Sequence, residues 1–255
     1  MSHAICAVPV AAIRSKPEYG AEMISQLLFG ECAIITVVEK NWCKIVVKDD
    51  AYTGWCQLNQ LLEIGEELFN APRLFQAGAW VNEISWNGQL MKIPLGSALP
   101  GLNNNVANWN NNIIQYRGDL WDLSKVVTSA KLMKEIGLSY LNTSYTWGGR
   151  SVFGTDCSGF TQNIYKAVNI LLHRDAHMQA NQGELVGFIQ QAHCGDLAFF
   201  DDEEGKIIHV GMLLNEHEII HAAGKVSIDK IDNQGIINAI TGERMQKLRL
   251  IKRYF

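Results

Sequence analysis

No stretch of this 255-residue chain is apolar for long enough to cross a bilayer as a helix, no run of basic residues stands out, and no C-x-x-C pair occurs. The first absence excludes a membrane-spanning helix. The second, with a formal net charge of −4, argues against a nucleic-acid partner. The third removes the usual signature of a zinc cluster. The six cysteines stand at 6, 32, 43, 56, 157 and 194, and Cys32, Cys43 and Cys56 lie inside apolar, strand-like runs. They read as reduced core thiols rather than a disulfide framework, which suits the cytoplasm. The opening M-S-H-A-I-C-A-V-P-V-A-A-I-R has no basic lead and too short an apolar run before charge appears, so no signal peptide is expected. What is present is a chain 47% hydrophobic and 19% charged, enough for a globular core and long enough for one larger domain with one or two small modules.

Residues 145–172, Y-T-W-G-G-R-S-V-F-G-T-D-C-S-G-F-T-Q-N-I-Y-K-A-V-N-I-L-L, organise the rest. The first half is turn-rich, with Gly148, Gly149 and Gly154. In the second half Phe160, Ile164, Val168 and Leu171 recur at helical spacing on one apolar face. Asp156 is placed to cap that helix, which puts Cys157 in its first turn. Unpaired N–H groups and the positive end of the helix dipole favour a thiolate there, so Cys157 is a candidate nucleophile. Trp147 reads as a core aromatic, and Met178, Met212 and Met245 as packing.

A reactive thiol needs a base. Residues 197–200 and 207–214 read as strands around a turn at 201–205, and a further turn at 215–217 leads into a strand over 218–222. If the last two pair as a hairpin, His209 and His221 lie opposite or diagonal on one face, unless the register slips by one. One ring then takes the Cys157 proton while the other orients it.

Upstream, 32–38, 42–47 and 54–58 are short β-branched or aromatic runs separated by turns, so residues 1–62 read as a small all-β module. A second β module is expected over 66–122, where runs at 79–86 and 89–95 flank Asn87-Gly88, a dipeptide suited to a type I′ turn. The asparagine-rich run 103–112 reads as a loop, and 113–116 as a strand. A helix is expected over 124–136, capped by Ser124, with Val126, Ala130 and Met133 on its apolar face and closed by Gly137; it opens a domain over 124–255.

The ordered motifs Y-x-W-G-G, D-C-S-G-F, G-D-L-x-F-F, H-V-G-M and H-A resemble the NlpC/P60 family of papain-like cysteine peptidases, over roughly the last 115 residues. Y-T-G-W-C-Q-L-N-Q-L resembles the closing strand of bacterial SH3-like barrels. The resemblance implies an α+β chain: a papain-like domain, its cysteine-bearing helix packed on an antiparallel sheet, preceded by two small all-β SH3-like barrels. It implies Cys157 as nucleophile, His209 as general base, His221 as the third polar member, and the Tyr145 hydroxyl with the Cys157 N–H as the oxyanion site. Asp156 and Ser158 match positions that contact substrate.

A subset of the family resembles this chain throughout, namely endopeptidases of the dipeptidyl-peptidase VI type. That resemblance implies cleavage of the γ-D-glutamyl bond to a diamino acid, diaminopimelate or lysine, in murein peptides with a free N-terminal L-alanine, during wall-peptide recycling. No metal or organic cofactor is implied. Selecting a free α-ammonium calls for a buried carboxylate. Glu31 and Tyr52 match barrel positions that take this role, and Asp175 is a second acidic candidate or a helix-end partner of Arg174. Ala176 stands where the subset often has serine. Three readings stay open beside this one: an exported wall hydrolase whose barrels bind the intact polymer, an acyltransferase on the same scaffold, and an inactive binding module.

Overall fold

Runs of β-branched and aromatic residues at short spacing dominate the chain, and the computed structural model, which describes residues 1–255, turns them into strands joined by few helices. Two units result, Met1–Val126 with Trp147–Val152, and Val127–Thr146 with Phe153–Phe255.

The first unit holds β1 (Ser2–Cys6), β2 (Val10–Arg14), β3 (Met23–Leu28), β4 (Cys32–Glu39), β5 (Trp42–Val47), β6 (Thr53–Gln57) and β7 (Leu61–Ile64), in the sheet order β3-β2-β6-β5-β4-β1-β7. After the short α1 (Glu66–Phe69) come β8 (Phe75–Ala77), β9 (Val81–Trp86), β10 (Gln89–Pro94), β11 (Val106–Trp109), β12 (Asn112–Tyr116) and β13 (Leu120–Asp122). Here β10-β9-β12-β11 form one sheet and β13 pairs with β8. The later segment of this unit carries β14 (Arg150–Ser151). Alternation places Ala4, Cys6, Ala11, Ile13, Cys43, Ile45 and Cys56 in one buried cluster, and the six cysteines form no disulfide. Ile5 and Phe29 share a second cluster with Ile84 and Trp109, so the two halves of the unit have a core in common.

The β9–β10 turn is as expected: Asn87 and Gly88 have φ of 48° and 86°, the left-handed pair that a type I′ turn needs. The stretch 103–112 departs from the loop reading. Its centre forms β11, paired with β12, and Trp109 is fully buried with its indole N–H donated to the Pro100 carbonyl at 2.9 Å. One buried indole outweighs the polar flanks, because a side chain of that size removes more apolar area than any neighbour there exposes. Trp147 is no core residue: it is 62% exposed and donates its N–H to Glu22 at 2.7 Å.

The second unit opens with α2 (Ala130–Ser139). This helix starts later than the sequence predicts, because Ser129, not Ser124, caps it by accepting the Leu132 N–H at 3.3 Å. Ser124 instead donates its hydroxyl to Asp122 at 2.6 Å. Gly137 lies inside the helix rather than closing it. There follow β15 (Gly154–Thr155), α3 (Cys157–Ala167), α4 (Ala176–Gln179), β16 (Glu184–Val186), β17 (Leu197–Asp201), β18 (Ile207–Leu213), β19 (Glu218–Ala223), β20 (Lys225–Asp232), β21 (Gly235–Ile237) and β22 (Arg244–Arg253). The sheet order is β16-β22-β17-β18-β19-β20-β21, every pairing antiparallel, and β21 also bonds to β22. Against β18 and β19 lies α3, burying Phe160 and Ile164. Each such side chain contributes about 1.5–3 kcal/mol of transfer energy. The helix stops at Ala167, so Leu171 falls outside it and is 41% exposed. Met212 is buried as expected, but Met245 is 40% exposed and packs no core.

Candidate active site

Three neighbouring strands present one polar side chain each. The register pairs Gly211 of β18 with His221 of β19, and Ser227 of β20 with His221 from the other side. With a side-chain period of two, His209 on β18 and Asp229 on β20 are therefore the diagonal neighbours of His221 on one face. Glycine at 211 makes room, since a Cβ there would stand 2.7 Å from the Cβ of His221. His209 Nε2 lies 2.8 Å from His221 Nδ1, and His221 Nε2 lies 2.9 Å from Asp229 Oδ2. The two imidazole rings meet edge to face at 5.0 Å. All three side chains are buried.

Cys157 opens α3, where the Asp156 carboxylate caps the helix by accepting the Gly159 N–H at 2.7 Å. The sulfur is buried, and the backbone N–H groups of Val210, the residue after His209, and of Ser158 lie where they favour its ionised form. The expected thiolate is not the resting form. Burial, with the nearby Asp156 charge, pushes the thiol up to about 12 and outweighs the helix end and those N–H groups. Burial, then the His221 ring, takes His209 down to about 3. Thiol and imidazole are thus both neutral at rest, and the nucleophile forms by proton transfer within the site.

Tyr145 sits beside β15, bridged to Thr155, with its N–H bonded to the Gly224 carbonyl at 2.9 Å. Burial, then the charges of Cys157 and Asp156, raise its hydroxyl to about 12. It keeps its proton, the state an oxyanion donor needs.

The sequence-matched substrate positions are firmly engaged within the protein. Arg174, itself buried, donates to Asp156 Oδ1 at 3.0 Å and to Ser158 Oγ at 2.8 Å, and Ser158 donates to Asp156 at 3.3 Å. Arg174 thus pairs with Asp156, while Asp175 is the N-cap position of α4. In the first unit Glu31 is buried and holds Arg150 through both oxygens, at 3.0 and 3.1 Å, and also accepts the Leu28 N–H at 2.9 Å. Gly30, φ 77°, shapes this turn: a Cβ there would fall 1.8 Å from the Ala98 carbonyl oxygen. The Tyr52 N–H is held by Asp50 at 3.0 Å, and its side chain packs on the cysteine-lined core.

Sequence reasoning missed Arg150 and Asp229, and named Arg174 only as a partner offered for Asp175, not for Asp156. Asp229 shares β20 with a second carboxylate, Asp232, and only the register with His221 sets it apart. For the two arginines nothing local distinguishes a buried ion pair from a solvated charge.

A cysteine at a helix mouth, its sulfur against the strand of an imidazole that is itself held by a second imidazole, is the apparatus of a cysteine peptidase. The NlpC/P60 family profile matches residues 142–245, and a profile described as bacterial dipeptidyl-peptidase Sh3 domain matches residues 13–61. The gamma-D-glutamyl-L-lysine dipeptidyl-peptidase of Bacillus subtilis is 30% identical over 216 residues, which cover 78% of this chain and 71% of that protein. Dipeptidyl-peptidase 6 of Lysinibacillus sphaericus is 23% identical over 269 residues, covering 91% of this chain and 93% of that protein. A crystal structure of an NlpC/P60 family protein from Bacillus cereus shares the fold, with a TM-score of 0.83 over 99% of both chains at 21% identity. The chain belongs to the NlpC/P60 family and is a cysteine peptidase with an SH3-type domain near its N-terminus.

Proposed function

We propose that this peptidase hydrolyses the γ-D-glutamyl bond to a diamino acid in murein-derived peptides that carry a free N-terminal L-alanine, as a step of wall-peptide recycling in the cytoplasm. The bond is the one named in its relatives gamma-D-glutamyl-L-lysine dipeptidyl-peptidase. The observation that carries the chemistry is Cys157 at the capped start of α3, packed against β18, with His209 of that strand backed by His221 at 2.8 Å.

The reaction is acyl transfer through a thioester. The Cys157 proton passes to His209 as sulfur attacks the γ-carbonyl carbon, and the oxyanion is held by the Cys157 N–H and the Tyr145 hydroxyl. His209 then gives its proton to the departing amine, the thioester remains, and water activated by His209 releases the L-Ala-γ-D-Glu product. This chemistry uses no metal or organic cofactor.

Glu31 and Tyr52 are proposed to select the free amine, and Asp156, Ser158 and Asp175 to order the substrate, on the resemblance to the dipeptidyl-peptidase VI type. The buried Arg150 bears on Glu31: its charge, maintained against burial chiefly by Glu31, makes this carboxylate a fixed element rather than a mobile one. Residues 66–122 are proposed as a second SH3-like barrel, with 1–62 the first and 124–255 the peptidase domain. Digestion of L-Ala-γ-D-Glu-diaminopimelate and its lysine counterpart, each free and N-acetylated, tests the reading by mass spectrometry. Cleavage of the free peptides alone is expected. Equal cleavage of both forms would defeat amine selection, and no cleavage of either would defeat the substrate.

A further inference from the structure

The site has a member beyond the three reacting and orienting side chains. We propose that Asp229 is a positioning residue that fixes the tautomers of both histidines, so that the bare nitrogen of His209 is the one available to Cys157. The inference rests on the peptidase reading of Cys157 and His209.

The argument is one of donors and acceptors. An ionised carboxylate can only accept. Asp229 receives the Ala239 N–H on Oδ1 at 2.7 Å and the Ser227 hydroxyl on Oδ2 at 3.2 Å, besides the 2.9 Å contact with His221 Nε2. The His221 bond first, with help from the Ala239 and Ser227 donors, holds this carboxyl below its usual range, so it is ionised at neutral pH. His221 Nε2 must therefore carry the hydrogen. In the neutral ring Nδ1 is then a lone pair, and the 2.8 Å contact to His209 Nε2 is a hydrogen bond only if His209 donates. His209 is left with Nδ1 bare, and that nitrogen takes the thiol proton. When it does, the new positive charge sits one ring away from the Asp229 carboxylate, a fixed dipole-and-charge arrangement in a buried setting.

Without the carboxylate the order reverses. An amide at 229 can offer N–H to His221 Nε2, which moves the His221 hydrogen to Nδ1 and makes His209 Nε2 the acceptor. The proton of neutral His209 then resides on Nδ1, and no base is presented. Wrong-tautomer effects of this kind cost up to about 10⁴ in kcat in another triad.

The test is Asp229→Asn beside wild type, with histidine side-chain ¹⁵N NMR at neutral pH and kinetics on L-Ala-γ-D-Glu-L-Lys. Wild type is expected to show His221 protonated on Nε2 and bare on Nδ1. The variant is expected to show the reversed His221 tautomer, with kcat lowered about 10²- to 10⁴-fold and KM within threefold. A purely structural carboxylate would leave the tautomer unchanged. A wild-type His221 protonated on Nδ1 overturns the proposal, as does a variant with unaltered tautomer and kcat within threefold. If the variant does not fold, the wild-type spectrum decides alone. If no peptide is cut, the substrate reading fails while the spectra still test Asp229.

Discussion

Cys157 and His209 are each shut away from water, and burial moves their protonation in opposite directions, the thiol up and the imidazole down. Iodoacetamide should accordingly label Cys157 about tenfold faster for each pH unit between roughly 6 and 9, because only the thiolate reacts. A plateau through neutrality, the mark of a resting ion pair, would contradict this. Tyr145→Phe removes one oxyanion donor, which is worth about 2.7–4 kcal/mol of barrier. We expect kcat to fall by about two to three orders of magnitude with an unchanged melting temperature; a rate within threefold of wild type would remove Tyr145 from that role. At this scale the pairing of His209 with His221 was legible from strand period, and the place of Cys157 at a capped helix start from Asp156 before it. Asp229 was not, since a carboxylate in a strand becomes informative only once its register partner is known. The helix-end argument for a thiolate failed because it weighed the dipole without the cost of burying charge.

Two elements bring the reacting groups together, the start of α3 and the strand trio β18, β19 and β20. The α3 start is held by Asp156, whose charge is compensated by buried Arg174. Replacing Arg174 by Met strands that carboxylate, and loss of one partner of a buried pair costs about 3–5 kcal/mol. Urea unfolding of Arg174→Met, followed by far-UV circular dichroism together with Cys157 protection, should show a clear drop in midpoint; a loss below about 1 kcal/mol would mean that Asp156 is satisfied without it. Of that trio β18 and β19 could be anticipated, because apolar alternation and short turns set their limits, whereas β20 was not read from the sequence. The strand β11 could not: the six asparagines that flank it hid the single indole that anchors it, and a pattern count gives every residue equal weight while burial does not.

For the molecule as a whole, the site's buried charge pattern ties activity to acid sensitivity. In the unfolded chain His209 takes up a proton below its ordinary 6.5, whereas the folded chain resists until about 3, so folding weakens as pH falls through that interval. Asp229, held below its ordinary 3.8 by its hydrogen bonds, adds stability that is complete above 3.8 and is lost only at lower pH. The melting temperature should decline from pH 6.5 to about 4, and His209→Gln should decline less; parallel curves would contradict the assignment. The division into a strand-rich N-terminal part and a mixed C-terminal part was readable from turn spacing and the one strong helical run. The core that joins Ile5 to Trp109 was not, because partners so far apart along the chain leave no mark on local pattern.

The account stands most directly on sulfur becoming covalently attached to the substrate's acyl half. Peptide-mapping mass spectrometry of acid-quenched turnover of L-Ala-γ-D-Glu-L-Lys should find the L-Ala-γ-D-Glu acyl group on the peptide containing Cys157, and none on Cys157→Ser under the same conditions. Undiminished hydrolysis by a Cys157→Ala variant, or an acyl group mapped to another residue, would contradict it.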